Sequence, residues 1–183
     1  MPSYIFLFLF PILLSKIIKI GHPMSKSKVK ATSDDYLLDF SVNGISVDIE
    51  AFKDLCTWQT LKTFELYLKP GDVLSFESMN EAESASNPRG MAASIEYVTK
   101  NGEIAIYNTG DGWLCDDQPA LKQQKIASTY TWGPWKNFFS GETWVIWGPL
   151  KNVKSVCKFT IPEEEWVKII IITKRNYNNI CYD

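Results

Sequence analysis

This chain reads as an all-β protein, an antiparallel β-sandwich of eight or nine strands with long loops. Three observations carry that reading. Apolar residues repeatedly alternate with polar ones at the two-residue period of a strand. Gly, Pro and Asn punctuate the chain at short intervals. No long stretch has the apolar spacing of an amphipathic helix. Of the 183 residues, 45% are hydrophobic and 14% aromatic, enough to fill one core and to exclude global disorder.

The first alternating run places Tyr36, Leu38, Phe40 and Val42 on one face and Leu37, Asp39 and Ser41 on the other. After Asn43-Gly44, Ile45, Val47 and Ile49 alternate with Ser46 and Asp48. Asn-Gly between two such runs predicts a hairpin, because a type I′ turn needs positive φ at both central residues. Phe64, Leu66 and Leu68 alternate before the turn Pro70-Gly71-Asp72, and a strand resumes over 73–76. Residues 79–90 are polar and end with Pro88 and Gly90, which predicts a long exposed loop. Met91, Ala93, Ile95 and Tyr97 mark a strand, which Lys100-Asn101-Gly102 turns into a second hairpin over 103–107. Residues 118–127 read as a short helix or a loop. Strands follow at 143–147, with Trp144 and Trp147 on opposite faces, and at 153–161, where Pro162 stops the run.

The ends read differently from the middle. The apolar run at 4–14 (YIFLFLFPILL) has the length of a signal-peptide core and is short for a membrane span. Residues 1–23 are therefore expected as a signal peptide, with a signal anchor extending to Ile20 or a translation start at Met24 as the alternatives. Residues 24–33 read as a polar, basic linker, 34–166 as the sandwich, and 167–183 as a C-terminal strand or disordered tail. Four cysteines, Cys56, Cys115, Cys157 and Cys181, suit two disulfides in an extracellular chain, with three connectivities open. A net charge of −2 without a basic stripe speaks against a nucleic-acid partner. Membrane contact is expected only if the N-terminal segment is an uncleaved anchor.

A series of short motifs resembles a known family. They are Asp34-Asp35-Tyr36, Val42-Asn43-Gly44, Trp58, the run from Leu68 through Lys69-Pro70-Gly71-Asp72 to Val73-Leu74, Gly90-Met91-Ala92-Ala93-Ser94-Ile95, Asn101-Gly102 and Asp111-Gly112-Trp113. Their order is similar to that in the galactose-binding-like jelly roll, an accessory domain of α-L-rhamnosidases and β-galactosidases. The resemblance covers about residues 33–115 and implies a sugar-binding or supporting domain. No catalytic barrel is expected within this length.

The chemistry points the same way. His22 is the only histidine, so a sandwich beginning at residue 34 would hold no imidazole for a triad or a His-ligated metal. The expected function is therefore non-catalytic, a secreted or cell-surface module that binds carbohydrate. The alternative is an adhesive protein acting through contacts with extracellular proteins; a histidine-free glycosidase comes last. The expected binding residues are Trp113, Asp111, Trp132, Trp135, Asn137 and Arg89. Aromatic rings suit the C–H face of a sugar, and the polar groups suit its hydroxyls. Tyr130, Lys136, Phe138 and Phe139 belong to the same aromatic stretch. Asp34, Asp35, Asp116 and Asp117 offer oxygen ligands for a structural calcium ion, the one cofactor the sequence suggests.

Overall fold

A computed structural model describes residues 24–47, 58–80, 89–126, 133–150 and 153–163. The leader, the tail after 163, the 81–88 part of the long loop, Trp132, Cys56 and Cys181 lie outside the described residues.

Two antiparallel sheets pack face to face as a sandwich. The described residues form twelve strands: β1 (Ser25–Ser33), β2 (Tyr36–Val42), β3 (Ile45–Ser46), β4 (Lys62–Leu68), β5 (Val73–Met79), β6 (Met91–Val98), β7 (Ile104–Asn108), β8 (Leu114–Cys115), β9 (Gln118–Pro119), β10 (Leu121–Ile126), β11 (Thr143–Trp147) and β12 (Lys154–Thr160). The first sheet runs β10-β11-β6-β1-β4, with β7 also paired to β6. The second runs β3-β2-β5-β12-β8-β9. The strand count exceeds the expected eight or nine because several members are only two residues long. Among the described residues no helix is long and apolar enough to cross a membrane.

The turns read from the sequence at Gly44, Gly71 and Gly102 all carry glycine at positive φ. Asn43 and Gly44 have φ of 52° and 77°, both positive as a type I′ hairpin turn requires. Asn43 also braces the neighbouring turn, donating from Nδ2 to Asp72 Oδ1 and accepting from the Val73 amide. Met91, Ala93, Ile95 and Tyr97 all point inward from β6 and are buried.

Three expectations need correction. Residues 24–33 are not a linker: β1 lies between β4 and β6, paired along its length to both. Its inward residues, Ser27, Val29 and Ala31, are small and buried, while Lys26, Lys28 and Lys30 fall between them on the other face. The segment 118–127 was expected as a short helix or a loop, and its described part, 118–126, holds β9 and β10, the latter pairing with β11. In β2 the alternation breaks, because the register against β5 shifts between Leu37 and Asp39. That bulge turns both Leu37 and Phe40 into the core.

The main core joins both sheets through Phe40, Phe64, Phe76, Trp113 and Phe159. Phe40 stacks on Phe76 at 4.7 Å, and Trp113 stacks on Phe159 at 5.2 Å. A second, smaller cluster contains Ala92, Ile126, Trp135 and Val145, with Trp58, Phe138 and Phe139 packed against it. Trp135 sits in a 3-10 turn (Gly133–Asn137) and is fully buried. Cys115 and Cys157 face each other across β8 and β12 and form a disulfide inside the main core.

Two outcomes follow. Val29→Pro removes a ladder N–H and clashes in a central strand, so it should abolish the cooperative unfolding transition, whereas a linker would tolerate it. Replacing Cys115 and Cys157 together by Ala should lower unfolding free energy by about 4 kcal/mol in a urea titration, given the 42-residue separation they close.

Candidate functional site

The site forms where β6 changes partner. One edge of β6 is taken by β1 along seven pairs from Ser27↔Tyr97 to Ser33↔Met91. The other edge is shared: β7 pairs with it as far as Ser94↔Asn108, and β11 meets it at Ile146↔Met91. Thr109 fills the gap between the two. Its amide donates to Ala93 O at 2.9 Å, and its carbonyl accepts from the Trp144 amide at 2.9 Å. Its hydroxyl accepts from the Ala93 amide at 3.3 Å and donates to Trp144 O at 2.6 Å. Thr109, through its backbone and its side chain together, thus stands in for the missing stretch of ladder between β7 and β11.

An open depression of about 380 Å³ lies at this junction, lined by Ile106, Asn108, Thr109, Gly110, Asp111, Glu142 and Trp144. Trp144 is half-buried, resting against the main core, and its orientation is fixed on several sides. Its indole N–H donates to Glu142 Oε1 at 3.0 Å. The Lys122 ammonium stands 5.3 Å from the ring centroid and is itself bonded to Asp111 Oδ1 at 2.8 Å. Gly110 passes beside the ring; an added Cβ there would come within 3.2 Å of Trp144 Cδ1. Glu142 also accepts from Lys125 Nζ at 2.6 Å. That bond, with the one from the indole, holds its carboxyl below the ordinary range, so it is anionic at neutral pH. Asn108 donates to Ser140 O at 2.8 Å, and its Oδ1 is buried without a hydrogen-bond partner among the described residues.

Of the residues expected to bind ligand, Asp111 alone lines this depression. Trp113 is a core residue instead, 2% exposed, with its indole N–H on Asn108 O at 3.0 Å. Trp135 is likewise buried, and its N–H is spent on Trp58 O. Both rings satisfy their one polar group internally, which removes them from ligand contact. Asn137 is exposed at the end of the 3-10 turn, and Arg89 is half-buried where β6 begins, its carbonyl bonded to Gln123; neither lines the depression. Trp132 lies outside the described residues. Trp144, Glu142, Asn108 and Lys122 were not among the expected binding residues. The available signal was the two-residue spacing of Glu142 and Trp144, which puts both side chains on one side of the chain.

The four aspartates expected around calcium have other employment. Asp116 and Asp117 are the central pair of the β8–β9 hairpin, with φ of 54° and 59°. Asp116 accepts from the Val156 amide at 2.9 Å and Ser155 Oγ at 3.2 Å, and Asp117 pairs with Lys158. Asp34 accepts from Asn80 Nδ2 at 3.0 Å, while Asp35 turns the chain with φ of 63°. Among the described residues, no group of three or more His, Cys, Asp or Glu comes together in a way that could hold a metal ion.

Comparison with models of known protein families, with curated proteins and with solved structures finds no match to this chain.

Asp34 makes a pH prediction. Burial, reinforced by the neighbouring Asp35, raises its pKa to about 6. The folded state therefore holds the proton more tightly than the unfolded chain does, and ionising Asp34 costs stability. This contribution should fall as pH rises from about 4 to 6 and stay lost above that. Asp34→Asn should raise unfolding free energy at pH 7.5 by about 2 kcal/mol and flatten that part of the pH profile, read by denaturant titration.

Proposed function

We propose that this protein is a non-catalytic β-sandwich that binds carbohydrate at the junction of β6, β7 and β11, in a secreted or cell-surface setting. The observation that carries the proposal is Trp144, an indole partly open to solvent, oriented by Glu142 and bordered by Asp111 and Asn108. Such a ring offers a flat surface to the C–H face of a pyranose, and the neighbouring acceptors suit its hydroxyls. The buried disulfide and the apolar run at 4–14 support an oxidising compartment. The two-sheet antiparallel architecture is compatible with the galactose-binding-like jelly roll that the motifs resemble. Non-catalytic action is favoured by a single histidine, His22, which precedes the sandwich.

A specific observation also favours the adhesive reading. A second depression, lined mainly by apolar residues including Val42, Ile45, Val47, Leu66 and Tyr67, separates the β2–β3 hairpin from β4. Ile45 and Tyr67 are 76% and 62% exposed. Groups of that kind on one surface suit protein contact. Sedimentation velocity separates the readings, since a protein that associates through this face loses its self-association or partner binding on Ile45→Lys.

A glycan array followed by calorimetric titration tests the carbohydrate reading. Trp144→Ala should weaken binding of the best glycan by about 10-fold or more while the far-UV circular dichroism of the sandwich is retained. Unchanged affinity in that variant, or an array without hits, would refute it.

A further inference from the structure

The Trp144 depression brings two carboxylates, Asp111 and Glu142, to the edge of an indole, and each is paired with a lysine from β10, Lys122 and Lys125 respectively. The lining itself holds no lysine or arginine, so both cations come from the rim. Lys122 also faces the ring.

The molecule already places a cation there. Lys122 reaches in from β10 at the rim, with its ammonium 5.3 Å from the Trp144 ring centroid and 2.8 Å from Asp111 Oδ1. An ammonium attracted by an indole face and a carboxylate together is the arrangement that recognises charged amines. The tie is a loose one, because Asp111 is 93% exposed and Lys122 37%, so water competes for both. Lys122 can swing out into solvent and leave its position to another ammonium. Glu142 cannot move as freely, since Lys125 and the Trp144 indole hold its two oxygens.

From this arrangement we infer that the site takes a sugar with a free amino group, a hexosamine unit, and that Lys122 occupies the amine position when no ligand is bound. The inference rests on the carbohydrate reading and narrows it to one ligand class. The sugar ring lies against Trp144, its ammonium replaces that of Lys122 beside Asp111, and its hydroxyls meet Glu142. Lys122 then acts as an internal competitor, which any ligand on the ring displaces and which only a cationic ligand replaces.

The test is a tryptophan-fluorescence or NMR titration with glucosamine, glucose and N-acetylglucosamine, which share one ring and differ in the amine. Wild type should bind glucosamine most tightly, and more weakly as salt is raised. Lys122→Ala should tighten glucosamine, and glucose with it, by about 2- to 5-fold, the strength of an exposed cation–π contact, while the preference for the amine persists. Asp111→Asn should remove most of the preference for the amine. Equal affinity for glucosamine and glucose in both wild type and Lys122→Ala overturns the amine inference while leaving the carbohydrate reading in place. Failure of all three sugars to bind overturns both.

Discussion

Strand β6 has two edges and three partners, and the architecture follows from how that mismatch is resolved. β1 occupies one edge fully, while β7 and β11 divide the other. Where a strand changes partner, at least one amide and one carbonyl would face a gap in the ladder, and burying such groups unpaired costs about 1–3 kcal/mol each. Thr109 removes that cost with its own backbone and hydroxyl, making four hydrogen bonds to Ala93 and Trp144. It is 1% exposed, so water could not easily do the same.

That solution fixes the site's position. Because Thr109 ties β11 to the end of β7, the segment around 108–111 comes against Glu142 and Trp144, more than thirty residues later in sequence. The carbonyl of Asn108 is held from below by the buried Trp113 indole, so the rim is anchored in the main core. The ion pairs of the site, Lys122 with Asp111 and Lys125 with Glu142, are all substantially exposed. They contribute little to folding stability and are better understood as orienting devices around the ring. Core packing and the junction hydrogen bonds stabilise the frame, and the exposed charges surround the ring.

Much of the frame was legible in the sequence, and the reasons for the failures are physical. The Asn43-Gly44 hairpin and β6 were clear because turn chemistry and alternation agreed there. β1 was missed because its inward residues are Ser27, Val29 and Ala31, too small to stand out among three lysines, although the two-residue period was present. β10 carries apolar residues only at its two ends, Leu121 and Ile126, and is recognisable by its pairing to β11. The bulge in β2 leaves no local signature. For the site, composition identified tryptophans but not their exposure: Trp113 and Trp144 look alike in sequence, and only the partner exchange on β6 leaves the second half open. Asp111 lines a depression with Trp144, whereas the neighbouring Trp113 is buried in the core.

The most direct measurement is a ¹H–¹⁵N spectrum of the tryptophan indoles, followed while a panel of monosaccharides is added. Trp113, Trp135 and Trp147 are buried, so the account predicts that their signals stay still while that of Trp144 moves saturably. A Trp144 signal that never moves, or saturable movement in the buried indoles alone, would contradict the assignment of the site to the β6 junction.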